Sequence, residues 1–160
     1  MTSHERVQMI ESYGSAHARL IDALKEFPRE MWPYRSPADP WSIHDIVVHI
    51  ADSETNSYIR CRTLVAEPGK RVMAYDENAW AKALRYGDQS TDDALELFKY
   101  LRRASYNLIK TLPESAWSNT IDHPENGIMT MDDWLRVYER HIPDHIEQMR
   151  AIHAAWRNRR

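Results

Sequence analysis

Two histidines four residues apart, His141 and His145, lie in a C-terminal segment that has the periodicity of an amphipathic helix. Its apolar and aromatic residues recur as Trp134, Tyr138 and Met149, and steps of three and four residues from them include both histidines. Side chains at this spacing lie one above the other on a helix, with Cβ atoms ~5–6 Å apart, so two imidazoles can share one metal ion. Because burying polar groups without partners is costly, the pattern predicts either a metal site or a hydrogen-bonded structural pair.

A third ligand is needed for a catalytic zinc-type site, which commonly has three protein ligands and an open position for water. His49 is the best candidate, because it lies near the middle of another predicted helix and at the edge of its apolar stripe. Five further histidines occupy positions less suited to an internal site: His4, His17, His44, His123 and His153. The alternative is that the histidines are core or surface residues bound by carboxylates, since two histidines at this spacing also occur by chance in many helices.

Pro143 lies between the two C-terminal histidines. Within a helix, a proline here removes the hydrogen bond to the carbonyl of Glu139 and costs ~3 kcal/mol or more. The predicted kink favours a role for helix geometry in placing the two ligands, although packing alone can also tolerate a proline.

Three neutral imidazoles would leave a bound divalent ion with its full double charge. That charge lowers the pKa of a coordinated water to ~7 and converts a coordinated thiol into a reactive thiolate. Either reaction proceeds without a protein nucleophile, and we assign no catalytic residue beyond the metal-bound water or thiol. The one cysteine, Cys61, falls in the apolar stripe of the His49 helix and is predicted to be a core residue.

Carboxylates near the predicted ligands are candidates to support them, because a ligand histidine usually donates its second N–H to a carboxylate or carbonyl. Asp45, Glu54 and Asp144 are placed for this role. Glu54 lies on an apolar stripe and requires a partner, so a structural pair with a buried arginine, or with indole or phenol donors, is an equal alternative. Segments expected at the mouth of a helix bundle supply three candidates for substrate contact: Tyr75, Asp76 and His123.

The composition is typical of a soluble protein with a single domain, predicted to span residues 1–160. Hydrophobic residues make up 42% of the 160 residues and charged residues 28%, which suffices for a packed core. The formal charge of −3, with mixed signs, lacks the basic surface that nucleic-acid binding needs. No apolar run approaches the ~18 residues of a membrane span, and the N-terminus lacks a signal-peptide pattern. With one cysteine, we expect a cytoplasmic protein that binds neither nucleic acid nor membrane.

Four long amphipathic helices are predicted from apolar periodicity and from helix-start signals of the Ser/Thr-x-x-Asp kind. They cover approximately residues 3–27, 42–66, 90–112 and 130–156. A proline-rich loop at 28–40, a weak short helix at 75–81 and an exposed loop or tight hairpin at 118–129 connect them. No strand is convincing. The pattern therefore predicts an all-α fold, a four-helix bundle with long crossover connections plus one short extra helix.

Two stretches resemble the motifs of a known family, the DinB-like superfamily. Residues 41–54, WSIHDIVVHIADSE, are similar to its first motif, and residues 138–148, YERHIPDHIEQ, to its C-terminal motif. The layout of Tyr75 and Asp76 with Trp80, and of Gly127 shortly before Thr130, also matches. The resemblance covers residues 7–150 and includes all three histidines.

The resemblance implies a bundle that holds one divalent metal ion per chain through His49, His141 and His145, with zinc or nickel favoured over iron or manganese. It further implies a homodimer that acts on a small-molecule substrate, either as a metal-dependent hydrolase or as a transferase of low-molecular-weight thiols such as bacillithiol or mycothiol. Two alternatives stay open. In the first, the protein is a non-catalytic, metal-stabilised dimer that binds a small ligand in a stress response. In the second, no metal binds and the histidines are structural.

Overall fold

The computed structural model describes residues 1–159, which form five α-helices and two short β-strands. The helices are α1 Ser3–Leu24, α2 Ile43–Ala66, α3 Glu77–Ala83, α4 Thr91–Ile109 and α5 Met131–Asn158. The strands are β1 Thr120–His123 and β2 Gly127–Thr130, and short 3-10 turns lie at Arg29–Met31, Tyr86–Asp88 and Glu114–Ser118. No helix within residues 1–159 is both long and apolar enough to span a bilayer. The predicted set of four long helices and one short helix is confirmed.

The helix starts follow the predicted capping signals. At the start of α2, the Ser42 hydroxyl accepts the Asp45 backbone N–H, and the Asp45 carboxylate accepts the Ser42 backbone N–H at 2.8 Å. Thr130 and Asp133 form the same reciprocal pair at the start of α5. Each pair satisfies backbone N–H groups that a helix start leaves without intrahelical partners. These caps fix the first residues of the two helices that carry the candidate ligands.

The four long helices pack so that α1 contacts α4 and α5, and α2 contacts the same two helices. Helices adjacent in sequence, α1 and α2 or α4 and α5, therefore lie diagonally across the bundle. The two diagonal steps are made by the long connections at residues 25–42 and 110–130. The same arrangement places the ligand-bearing faces of α2 and α5 against each other.

The expectation that the chain contains no strand is wrong between α4 and α5. A tight hairpin, the alternative to an exposed loop, is found there, with His123 opposite Gly127. Gly127 has φ +68°, a left-handed conformation that glycine adopts readily. The hairpin also bonds to the connection between α2 and α3, where the Val72 N–H donates to the Asp122 carbonyl at 2.9 Å. This bond places the segment that leads to Tyr75 beside the hairpin.

Several boundaries differ from the predicted ones. α1 ends at Leu24 and α4 at Ile109, three residues earlier than expected in each case, and Phe27 packs into the core from beyond the end of α1. The proline-rich loop, predicted to contain no helix, includes a 3-10 turn and is anchored by Trp32, whose buried indole N–H donates to the Phe27 carbonyl at 3.2 Å. α5 continues to Asn158 and remains a helix through Pro143.

Candidate metal centre

Three imidazoles meet where α2 packs against α5. His49 from α2 and His141 and His145 from α5 each offer a ring nitrogen, and these atoms all lie within 4.8 Å of one another. The Nε2 atoms of His141 and His145 are 3.1 Å apart. Zinc–nitrogen bonds of ~2.0–2.1 Å in tetrahedral geometry place two ligand nitrogens about 3.3 Å apart. The spacing therefore fits a single divalent ion, and the structure brings together the three histidines that the sequence analysis selected.

His49 is the most deeply buried of the three, with 1% of its surface exposed. Its ring nitrogens, Nδ1 and Nε2, are both buried, and neither has a hydrogen-bond partner among residues 1–159. The Trp41 ring packs against it edge-on, with 4.6 Å between ring centroids. A buried polar group left without a partner costs ~1–3 kcal/mol. A side chain with two such atoms therefore requires a ligand that the described chain does not supply.

A chain of side-chain hydrogen bonds fixes the proton on His145. The Gln148 amide nitrogen donates to Asp39 Oδ2 at 2.8 Å, so the Gln148 amide oxygen faces His145 Nδ1, also at 2.8 Å. Because an amide oxygen only accepts, Nδ1 carries the hydrogen and Nε2 keeps its lone pair. Gln148 and Asp39 thereby orient a ligand nitrogen towards the centre, as hydrogen-bonding partners behind the ligands do in metal sites.

All three imidazoles are held in the neutral form that binds metal ions. Burial, and secondarily the neighbouring His145, lowers the pKa of His49 to about 3. Burial also sets the pKa of His141 well below its usual value, with His145 and His49 adding to the effect. Burial lowers the pKa of His145 as well, although its hydrogen bond to Gln148 opposes this. At neutral pH, no second proton has to leave these rings before a metal ion binds.

The centre opens on one side into a cleft of about 570 Å³, within the ~300–1,000 Å³ of small-molecule sites. A smaller cavity of about 160 Å³ adjoins it at His141. The cleft is lined by the three histidines and by five further residues: Glu77, Arg136, Val137, Arg140 and Asp144. A ligand that reaches the three ring nitrogens therefore has room for substituents in two directions.

The carboxylates predicted to support the histidines are engaged elsewhere. Asp45 caps α2 and binds Arg35 at 2.8 Å, and Asp144 forms an exposed ion pair with an arginine one turn earlier on α5. Within the described residues, neither carboxylate hydrogen-bonds to a histidine of the centre. That role belongs to Gln148, which the sequence analysis did not assign. The sequence feature that could have identified Gln148 is its position three residues after His145, on the same face of α5.

Glu54, the third candidate, belongs to a separate buried network. Its carboxylate accepts two hydrogen bonds from the Arg102 guanidinium, at 2.6 and 3.0 Å, and one from the Tyr13 hydroxyl at 3.0 Å. In the described part of the chain it makes no hydrogen bond to the three histidines. Glu54 therefore has the partners named in the structural alternative, a buried arginine and a phenol donor.

Tyr75 and His123, two candidates for substrate contact, both line the smaller cavity. Asp76 instead caps α3, where its carboxylate accepts the Ala79 backbone N–H at 2.9 Å. Other residues of this cavity were not anticipated, among them Ser53, Arg60 and Glu77. Polar residues on the flank of a predicted helix carry no sequence signal that distinguishes a cavity wall from a solvated face.

Residues 13–149 match the DinB superfamily. This chain belongs to the DinB superfamily. YfiT of Bacillus subtilis is 26% identical to it over 147 residues, which cover 91% of this chain and 81% of YfiT. A protein of Bacillus mycoides is 29% identical over 147 residues, which cover 90% of this chain and 83% of the relative. Both relatives bear names that assign them provisionally as metal-dependent hydrolases.

Solved structures of other proteins share the fold. YfiT, described as a probable metal-dependent hydrolase with an unusual four-helix bundle topology, superposes with a TM-score of 0.87 at 24% identity, covering 95% of this chain and 87% of YfiT. A mycothiol-dependent maleylpyruvate isomerase superposes with a TM-score of 0.71 at 14% identity, covering 93% of this chain and 61% of the isomerase. The predicted DinB-like four-helix bundle is confirmed.

Proposed function

We propose that this DinB-superfamily protein binds one divalent metal ion through His49, His141 and His145 and is a metal-dependent enzyme. One observation carries the proposal. The two ring nitrogens of His49 are buried, lack partners within residues 1–159, and lie beside the pair of Nε2 atoms 3.1 Å apart. The provisional names of the relatives support the same conclusion.

A divalent ion at this position supplies a Lewis acid, which lowers the pKa of a coordinated water to about 7 and turns a coordinated thiol into a thiolate. The residues of the chain prepare the site for it. Gln148, held by Asp39, keeps the hydrogen of His145 on Nδ1. Trp41 covers one side of His49, and an apolar wall beside a charge strengthens its electrostatic interactions.

Two reactions can use such a centre, and the proposal covers both: hydrolysis of an ester or amide, and transfer of a small thiol to an electrophile. The names of the sequence relatives support hydrolysis. The fold shared with a mycothiol-dependent isomerase supports thiol transfer. Arg136 and Arg140 line the cleft together with Glu77 and Asp144, so the cleft carries charges of both signs. The homodimer and the cytoplasmic location stay predictions.

Metal analysis of protein purified without an affinity tag or chelator tests the metal centre. We expect about one divalent ion per chain in the wild type and none in His49→Ala. The matched variant His44→Ala, on the same helix but outside the centre, should retain the ion. Unchanged metal content in His49→Ala would contradict the proposal.

Turnover separates an enzyme from a binding protein that uses the same ligands. The metal-loaded protein is assayed with activated esters and amides, and with small thiols in the presence of an electrophile. We expect turnover that chelation and His49→Ala abolish and that His44→Ala retains. Metal binding without any turnover would favour the non-catalytic alternative, a metal-stabilised protein that binds a small ligand.

A further inference from the structure

The smaller cavity beside His141 is lined by residues that carry buried hydrogen-bond donors with no acceptor within residues 1–159. It has a volume of about 160 Å³ and is enclosed by parts of α2, α3, α5, the segment before α3 and the hairpin turn. This volume lies below the ~300–1,000 Å³ of complete small-molecule sites, so it suits one functional group of a ligand. The remainder of such a ligand would lie in the adjoining cleft of about 570 Å³.

Arg60 supplies the first of these donors. Its Nη1 donates to the Tyr138 hydroxyl at 2.8 Å and its Nη2 to the Met73 carbonyl at 2.7 Å. Its Nε–H is buried and has no partner within residues 1–159. A guanidinium keeps its positive charge at every accessible pH, and its N–H fork matches the geometry of a carboxylate. Arg60 therefore presents a fixed charge with an unused donor.

Tyr75 and His123 supply two more donors. The buried Tyr75 hydroxyl makes no well-formed hydrogen bond within residues 1–159, and its polar neighbour is the Ser53 side chain. Its ring is held against Trp80, with 4.5 Å between centroids. In His123, Nδ1 accepts the backbone N–H groups of Glu125 and Asn126 at 3.2 and 3.3 Å. Because Nδ1 must keep its lone pair for these bonds, the neutral ring carries its hydrogen on Nε2. That Nε2–H is the polar group of the ring left for a ligand in the cavity.

The carboxylates of the cavity make no hydrogen bond to Arg60 Nε or to the Tyr75 hydroxyl. Glu77 and Glu125 are exposed residues at its rim, where solvent and salt screen their charges, whereas Arg60 Nε is buried. On the inner side, the Ser53 hydroxyl lies 3.4 Å from His141 Nε2. The cavity thus connects the unused donors directly with the candidate metal centre.

We propose that this cavity is a subsite for a carboxylate of the substrate or cosubstrate. Arg60 Nε–H, the Tyr75 hydroxyl and His123 Nε2–H hold the carboxylate, while the reacting group of the same molecule lies at the metal centre. The inference rests on the proposed function, since the subsite has a use only if a ligand reacts beside it. It names the ligand class: small molecules in which a short spacer joins a carboxylate to the group that reaches the metal.

The test compares two probes that differ only in this group, 3-mercaptopropionate and 3-mercaptopropionamide. Their binding to the Co²⁺-loaded protein is followed by the thiolate-to-cobalt charge-transfer absorption, a measurement independent of turnover. We expect the acid to bind roughly tenfold more tightly than the amide or better, because charge-assisted hydrogen bonds are stronger than neutral ones. Equal dissociation constants would overturn the inference.

Two variants locate the preference in the cavity. Tyr75→Phe removes the unused hydroxyl, and Arg60→Lys removes the Nε–H while keeping a charge. Each should reduce the preference for the acid roughly three- to tenfold, with an unchanged cobalt stoichiometry and ligand-field spectrum as evidence of an intact fold. Tyr100→Phe, which removes an exposed hydroxyl on α4, should behave as the wild type.

The outcomes distinguish the subsite from the metal centre. If the preference for the acid persists in both cavity variants, it arises from the cation itself. The subsite inference would then be wrong, and the proposed metal centre would be unaffected. Wild-type protein that does not load cobalt contradicts the proposed function. The subsite is supported if the wild type loads cobalt and binds the acid more tightly than the amide, and if the cavity variants lose this preference.

Discussion

Among the polar side chains that helix α2 buries, His49 and Glu54 lie five residues apart, and their surroundings differ in one respect. Glu54 is 1% exposed, and both its carboxylate oxygens accept hydrogen bonds, from Arg102 and Tyr13. Arg102 in turn donates to the Tyr138 carbonyl at 3.1 Å. His49, also 1% exposed, has two ring nitrogens without partners in the described chain. Both oxygens of Glu54 therefore have hydrogen-bond partners, whereas both ring nitrogens of His49 lack one in the described chain.

This difference separates a polar group that belongs to the fold from one that needs a ligand. A buried ion pair is tolerated only when its hydrogen-bonding groups are satisfied, and the network around Glu54 draws on α1, α2, α4 and α5 to meet that condition. The histidine centre joins only α2 and α5. Tertiary structure alone accounts for the Glu54 network, while the His49 environment is explained once a cation completes it.

The largest effect is expected when the complete network is broken from one side. Arg102→Met leaves the Glu54 carboxylate buried and uncompensated, so the free energy of unfolding should fall by ~3–5 kcal/mol. The double variant Glu54→Leu/Arg102→Met should recover most of this loss, because apolar replacement of a buried pair is often neutral or stabilising. Urea denaturation of the three proteins measures both values. A double variant as unstable as the single one would show that the two side chains are not energetically coupled.

A second prediction concerns the incomplete centre. Metal should stabilise the wild type by ~2.7 kcal/mol at a free concentration 100 times its Kd, and a chelator should remove this gain. His49→Leu should respond differently to metal removal and metal addition. Without metal it should be ~1–3 kcal/mol more stable than the metal-free wild type, because the buried, unpartnered nitrogens are gone, and added metal should no longer stabilise it.

Denaturation of both proteins with and without zinc provides the measurement for this second prediction. If metal-free His49→Leu proves less stable than the metal-free wild type, the ring nitrogens of His49 have partners and the comparison with Glu54 fails.

The third prediction tests the residue that fixes the proton of a ligand. Gln148→Leu removes the acceptor of His145 Nδ1–H, and metal affinity should fall ~10–100-fold, as is typical when such a supporting partner is lost. Competition with a chromophoric chelator measures the affinity. The matched variant Gln8→Leu, at an exposed position on α1, should bind metal as the wild type does. An unchanged affinity in Gln148→Leu would remove Gln148 and Asp39 from the account of the centre.

The smallest effect is expected from the cap of the ligand helix. Thr130→Ala should lower the free energy of unfolding by ~1 kcal/mol without changing the metal content. Hydrogen bonds from Thr130 lower the pKa of Asp133 in the folded protein. The carboxylate therefore contributes stability that is fully present above its usual pKa and is lost as the pH falls from that value through the lowered folded-state pKa.

The difference between the wild type and Thr130→Ala should therefore narrow below about pH 4. Urea denaturation at pH 7 and pH 3.5 is the check. A difference that stays constant over this range would show that the charged form of Asp133 takes no part in the cap.

Structural features that depend only on residues within one or two helical turns could be predicted from the sequence. The Ser42–Asp45 and Thr130–Asp133 pairs mark the starts of α2 and α5, and the spacing of His141 and His145 places both rings on one face of α5. The choice of His49 as third member used its position near the middle of a helix together with the family resemblance. These patterns were readable because one helix turn determines each of them.

Contacts between distant segments could not be predicted in the same way. Asp39 lies in the proline-rich loop and meets Gln148, 109 positions later in the chain. The apolar stripe of α2 showed that Glu54 needs a partner, but nothing local identified Arg102 among the arginines of the chain. Arg60 has no periodic signal at all, since its role depends on the hairpin and the α2–α3 connection packed around it.

The most direct test of the metal centre is X-ray diffraction from crystals of chelator-free protein grown with zinc, recorded on both sides of the zinc absorption edge. We predict one anomalous peak at the centre of each chain, ~2.0–2.1 Å from a ring nitrogen of each of His49, His141 and His145. Zinc found only at other positions, with both ring nitrogens of His49 bonded to water or to protein groups, would contradict the account.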